Sequence, residues 1–179
     1  MRIGRSQRGF TLVELLVVVT IVGVLATLAV YGMRKYIFAS KSAEPIHMIG
    51  QMKTAEESWR EEFHAYYNVS SSLTAYYPAP PDGHKRHWVY PSHSEYLGTW
   101  RHFPVSTPNP VHFGYAIRAG GPGDPPPPPD TGQTFNWPNP TTEPWFVIQA
   151  AGNFDGDNVF SLFVSSSFTQ EIYVENEGE

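Results

Sequence analysis

Residues 15–33, LLVVVTIVGVLATLAVYGM, carry no charged side chain over nineteen positions. An α-helix rises about 1.5 Å per residue, so the run has about the length needed to cross the hydrocarbon of a bilayer. Whatever else the chain builds must hang from this helix. Ahead of it stands a basic leader, MRIGRSQRG, with Arg2, Arg5 and Arg8 and no acid, and at its edge a lone carboxylate, Glu14.

A secretory signal peptide ends in a small-residue cleavage site after its apolar core, and Gly32-Met33-Arg34-Lys35 is a poor one. The apolar segment is therefore expected to stay in the protein. An ionised carboxylate at the end of a membrane helix needs a cationic partner, and no basic residue lies within one turn after Glu14. A cut after Gly9 would create a free amine on Phe10, one turn from Glu14, able to neutralise it in the same chain or in a neighbour.

The stretch Gly9-Phe10-Thr11-Leu12-Val13-Glu14-Leu15 resembles the class III leader of type IV prepilins and type II secretion pseudopilins. The resemblance covers residues 1 to about 65. It implies cleavage between Gly9 and Phe10 by a prepilin peptidase on the cytoplasmic side and N-methylation of Phe10. It also implies a pairing of Glu14 with the amine of an adjacent subunit during assembly. Tyr31 stands where many family members have a proline. Orientation follows from the resemblance and not from charge, because Arg34, Lys35 and Lys41 follow the span about as densely as arginines precede it.

The remaining residues leave room for one globular domain. The sequence divides into a leader (1–9), a transmembrane or filament-core helix (10–33), an amphipathic continuation (34–66) and an extracytoplasmic domain (67–179). Formal net charge is −5, yet past Phe63 there are 4 basic and 11 acidic residues, a poor surface for nucleic acid phosphates. Cysteine is absent, which excludes disulfides, Cys-ligated iron–sulfur clusters and c-type haem attachment. Some other device must hold the C-terminal region.

Met48, Met52, Ala55, Trp59, Phe63 and Tyr66 recur at helical spacing, whereas Lys53, Glu56, Glu57, Arg60 and Glu61 lie off that stripe. Pro45 is expected to bend the helix or split it. Residues 67–110, rich in Pro, Tyr, His, Ser and Trp, read as a long loop region. Strands are expected at 111–118, 145–151, 159–165 and 169–175, with five consecutive prolines at 125–129 forming an exposed spacer. The expected fold is α+β: a long N-terminal helix packed under an antiparallel sheet of three to four strands, which is also what the resemblance implies.

Asn153, Asp155 and Asp157 repeat at i, i+2, i+4 like the first half of a calcium loop. Asn158 stands where its sharp-turn glycine belongs and Val164 where its bidentate glutamate belongs, so a polar turn and a calcium staple both stay open. His84 and His87 share an H-x-x-H spacing without a recognisable third zinc ligand. The aromatic residues of the loop region are expected to pack, with a sugar-stacking face as the alternative. No catalytic constellation accompanies the serine runs, and no cofactor other than calcium is expected.

The function expected is that of a structural subunit of a type IV pilus-like filament. Gly23, Ala26 and Ala29 would let neighbouring helices approach closely. Its partners would be copies of itself and other pilins, the prepilin peptidase and assembly platform, and membrane lipid before assembly. The chain would begin as a single-pass protein of a bacterial inner membrane and end in an extracellular filament. A type II secretion pseudopilin and a tethered binding protein that never polymerises are the alternatives.

Overall fold

The computed structural model describes residues 9–78, 81–89, 95–154, 156–157 and 159–177. It divides into two compact units, residues 1–37 and residues 38–179. Helix α1 (Leu12–Phe63) contributes to both. The second unit adds α2 (Glu95–His102) and four strands: β1 (Gly114–Gly120), β2 (Trp145–Gly152), β3 (Ser161–Ser166) and β4 (Thr169–Glu175). The strands form an antiparallel meander in the order β1-β2-β3-β4. The architecture is α+β, as expected.

Helix α1 runs through Pro45 without splitting. Proline in a helix interior removes one hydrogen bond and crowds the preceding turn, at a cost of about 3 kcal/mol. Tertiary contacts on both sides offset it: Pro45 itself is buried, Ser42 before it is buried, and Met48, Ile49 and Met52 after it enter the core. The helix closes where His64 adopts the left-handed conformation (φ 57°), its N–H donating to the Arg60 carbonyl over 2.9 Å.

The buried face of α1 is rotated from the stripe the sequence suggested. Met48, Met52 and Ala55 are inside, but Phe63 is 52% exposed, Trp59 is half-buried, and Glu56 is fully buried. Ile49 and Glu56 sit seven positions apart, which is two turns, so they extend the same face. That face packs on one side of the sheet with Phe113, Tyr115, Ile117, Phe146, Ile148 and Phe163. The opposite side carries Trp145, Val147 and Val164 and is covered by Phe135, Trp137, Phe168 and Tyr173. Every residue of β2 is consequently buried. A strand with both sides covered reads as a continuous apolar run, which explains WFVIQAAG.

The proline-rich segment is not a free spacer. The Asp130 N–H donates to Gln149 Oε1 over 3.0 Å, and Trp145 Nε1 donates to the Asp124 carbonyl over 2.9 Å. Buried Thr141 receives a hydrogen bond from the Gly123 N–H and donates to the Gly121 and Asp124 carbonyls. These bonds fasten the β1–β2 connection over the outer side of the sheet.

Residues 67–110 contain α2, which the sequence reading missed. Trp100 is buried within an aromatic group, stacked on Tyr77 at 5.2 Å and edge-on to Trp88 at 5.5 Å. Isolated bridges Tyr77–Tyr115 and Arg86–Val111 stitch this region to β1 and the residues before it. Without a disulfide, the C-terminus is held by the β3–β4 pairing, by Ser161 Oγ donating to the Asn176 carbonyl at 2.7 Å, and by the Gly132 N–H donating to the Glu175 carboxylate at 3.1 Å.

Candidate functional site

The first candidate is the N-terminal segment from Gly9 to Met33. Its helix begins at Leu12 because Thr11 caps it. The Glu14 N–H donates to Thr11 Oγ1 over 3.2 Å, while the Thr11 N–H and hydroxyl donate to Glu14 Oε2 over 2.9 and 2.8 Å. This reciprocal arrangement is a capping box, and its T-x-x-E spacing was present in the sequence. Glu14 thus has partners within its own chain, which the sequence reading had not foreseen. Gly9 and Phe10 are exposed, and Phe10 is 86% accessible. The leader before Gly9 lies outside the described residues.

From Leu12 to Met33 the helix has a mean hydropathy of 2.6 over its most apolar window, and none of that window is buried. Its two threonine hydroxyls are satisfied internally: Thr20 Oγ1 donates to the Leu16 carbonyl at 2.8 Å and Thr27 Oγ1 to the Val24 carbonyl at 2.7 Å. The helical backbone and both threonine side chains are therefore closed upon themselves, as an apolar surrounding demands. Side chains on all sides are apolar and uncovered, so the segment suits lipid or neighbouring helices equally. Gly23 has open space around it, and Ala26 and Ala29 are exposed.

The second candidate is the turn between β2 and β3. Asn153 Oδ1 accepts from the Gly156 N–H at 2.8 Å, and Asp157 Oδ1 accepts from the Val159 N–H at 2.8 Å. Both side chains thus hold the turn, and Gly156 supplies its left-handed residue (φ 80°). Asp155 lies outside the described residues. Among the described residues there is no group of three or more His, Cys, Asp or Glu side chains that could hold a metal ion. His84 and His87 are exposed, and the His84 N–H caps Asp82 over 3.1 Å.

Two carboxyls matter more than the sequence indicated. Glu44 accepts from the His112 and Phe113 N–H groups at 2.9 and 3.1 Å and from the Tyr115 hydroxyl at 3.2 Å. Burial raises its pKa, against the lowering effect of those bonds. Among the described residues Glu56 accepts only from the Tyr67 N–H, and burial lifts its pKa to about 8. Beside Glu44, the half-buried His112 ring packs edge-on against Phe154, and burial lowers its pKa.

The comparisons with known proteins concern the first candidate. Residues 4–30 match the family model described as the prokaryotic N-terminal methylation motif. Over part of its length the chain is similar to type IV pilins. The type IV major fimbrial protein FimA of Dichelobacter nodosus is 44% identical over 52 residues, 29% of this chain and 33% of its own length. A fimbrial protein of Pseudomonas aeruginosa is 37% identical over 54 residues, 30% and 35% of the two chains. The type IV major pilin protein PilA of Myxococcus xanthus is 34% identical over 76 residues, 41% and 34% of the two chains. The chain spans about a third of the length of the curated relatives it matches. No solved structure matches. The family-model match lies within the segment that holds the motif and the apolar helix.

Proposed function

We propose that the chain is a structural subunit of a type IV pilus-like filament, not an enzyme. A prepilin peptidase cuts between Gly9 and Phe10 and methylates the Phe10 amine, and the mature chain waits in the bacterial inner membrane. The assembly platform then draws it into a filament whose core is built of copies of the segment from Leu12 to Met33. Gly23, Ala26 and Ala29 permit close approach of neighbouring helices. The observation that carries this reading is an apolar helix of 22 residues, uncovered on every side, with a capped carboxylate at its start.

In the membrane the Glu14 carboxylate sits at the lipid boundary, held by Thr11. In a filament core it faces an apolar surrounding, where an uncompensated charge is strongly penalised. The Phe10 amine of an adjacent subunit supplies the compensating cation, so that only one axial register buries Glu14 with its partner. The names of the similar proteins, major fimbrial protein and major pilin, support a pilus over a secretion pseudopilus.

Shearing filaments from cells and sequencing their subunits tests the proposal. Subunits beginning at Phe10 with a methylated amine are expected in the sheared fraction. Protein that begins at Met1 in native membranes, or that never enters the sheared fraction, refutes it.

A further inference from the structure

The turn between β2 and β3 is docked on α1 through one ring. Lys41 of α1 holds its ammonium 4.0 Å from the centre of the Phe154 ring, a cation–π contact. His112 and Phe113, just before β1, meet the same ring at 5.5 and 5.4 Å, both nearly edge-on. The segment 81–89 runs beside the turn, since a Cβ on Gly83 would approach the Asn153 carbonyl to 3.0 Å. Helix α1, segment 81–89 and the residues before β1 therefore converge on this turn. Among the groups that touch Phe154, His112 is the one that can gain a charge in mild acid.

The setting suits a neutral imidazole and not a cation. The His112 ring is half-buried, and among the described residues its buried Nδ1 has no hydrogen-bond partner. An imidazolium carries an N–H on both ring nitrogens, so protonation would bury a donor at Nδ1 without an acceptor. Burial, together with repulsion by Lys85 of segment 81–89 and Lys41 of α1, lowers the His112 pKa. Asp82 and Arg86 of the same segment pair with each other. On α1, Glu44 spends its oxygens on the His112 and Phe113 N–H groups and the Tyr115 hydroxyl, and burial pushes it towards its neutral form. In the turn, Asp157 Oδ1 accepts from the Val159 N–H, and Asp155 lies outside the described residues.

We propose that His112 and Phe154 form an acid-released latch: protonation of the imidazole ejects the Phe154 ring and frees the β2–β3 turn from α1. Withdrawal of Phe154 lets water reach the His112 ring, supplies its N–H groups with acceptors and screens it from the two lysines. The docked imidazole holds its proton less tightly than the released one. The latch is therefore fully closed above about pH 6.5 and weakens as pH falls towards the docked pKa. Glu44 and Glu56, with raised pKa values, act in the opposite sense on overall stability, so only a local probe isolates the release. The latch does not depend on polymerisation, since all its groups lie in the unit of residues 38–179.

Solution NMR on the complete detergent-solubilised chain, with ring-labelled histidine and phenylalanine, tests the latch between pH 8 and 4.5. The His112 ring shift gives its pKa, and the cross-peak between the Phe113 and Phe154 rings reports docking. The pKa is expected below that of histidine in an unstructured peptide. The cross-peak is expected to vanish as His112 is protonated, while the Phe113–Phe163 cross-peak persists and shows that the sheet is intact. Lys85→Met, an exposed change, should shift the pKa upward, and Phe154→Ala should shift it further, towards the peptide value. His112→Gln should keep Phe154 against Phe113 at pH 5. A His112 that titrates at or above the peptide value, a pKa unmoved by Phe154→Ala, or a release that persists in His112→Gln overturns the proposal.

Discussion

The Tyr67 N–H donates to Glu56 Oε2 over 2.8 Å, tying the first residues after α1 back to a carboxyl buried in its core face. The other oxygen, Oε1, is buried with no hydrogen-bond partner. A carboxylate with one donor and no cation is poorly stabilised there, so burial lifts the pKa to about 8, the neighbouring Glu57 adding to the effect.

The sign of the linkage follows. In the unfolded chain Glu56 ionises near 4.5, whereas the folded protein keeps its proton until about pH 8. Between those values the native state binds the extra proton, so stability is full below about pH 4.5 and falls as pH rises towards 8. The loss is on the order of 5 kcal/mol across the window. Glu56→Gln retains an acceptor for Tyr67 and removes this titration. Thermal melts of the detergent-solubilised chain should show a decline of Tm from pH 5 to 8 that is much reduced in the variant. Glu44, also raised by burial, leaves a smaller slope of the same sign. Parallel curves for the two proteins would show that Glu56 is ionised in the fold.

Glycine at position 120 is required by a ring. Gly120 pairs with Trp145 across β1 and β2, and a Cβ built there would lie 2.4 Å from Trp145 Cζ2. Trp145 is 2% exposed and anchored through Nε1 to Asp124, so it has little freedom to move aside. Gly120→Ala should therefore destabilise the domain by about 1–3 kcal/mol, the range for overpacking a well-filled interior. Gly123→Ala is an instructive contrast: its Cβ has open space, but its φ of 91° strains any side chain. Denaturant melts of both variants separate steric overlap from backbone strain. An unchanged midpoint for Gly120→Ala would mean that the Trp145 ring is mobile.

How far the sequence revealed these features depends on whether local pattern or tertiary context decides each one. The strand at 169–175 was legible to the residue, because its alternation and flanking turn are local signals. Burial of Glu56 was not legible, since an acid at helical spacing normally marks a solvated face; only the sheet opposite Ile49 and Met52 settles which face is inside. The short helix α2 was illegible for a related reason. Its eight residues include Gly98, and Trp100 is held by Tyr77 and Trp88 from distant parts of the chain, not by helix propensity. At the N-terminus the motif was plain, and so was the apolar run. The capping of Glu14 by Thr11 could have been read from T-x-x-E, but attention to a distant cation obscured the local donor.

Glu44 clamps the start of β1 to α1. Its carboxylate accepts from two successive backbone N–H groups and from the hydroxyl of Tyr115, a residue with no exposed surface. Glu44→Ala would leave these donors without their acceptor, each buried one costing about 1–3 kcal/mol. A loss of roughly 2–4 kcal/mol in unfolding free energy is expected, together with faster amide exchange at His112 and Phe113. Glu44→Gln should recover about half, because a neutral amide oxygen accepts more weakly than a carboxylate. Unchanged exchange at those two amides in the alanine variant would mean that the clamp is not formed in solution.

Glu14 is capped by Thr11 and is proposed to set the filament register, and the capping box makes the two roles distinguishable. Removing its carboxylate deprives the Thr11 N–H and hydroxyl of their acceptor and weakens the helix start by about 1 kcal/mol. That is small beside the transfer of 22 apolar residues into lipid, so Glu14→Ala should reach the membrane in normal amount. Filament yield should nonetheless fall tenfold or more, because a subunit without the carboxylate leaves the Phe10 amine of its neighbour unpaired in the core. Thr11→Val removes the hydroxyl of the cap but keeps the charge and the Thr11 N–H bond. It should lose a similar fraction of the capping energy and retain most of its assembly. Immunoblots of membrane and sheared fractions measure both quantities. Equal filament loss in Thr11→Val and Glu14→Ala would assign Glu14 to helix capping and remove its role in setting the register.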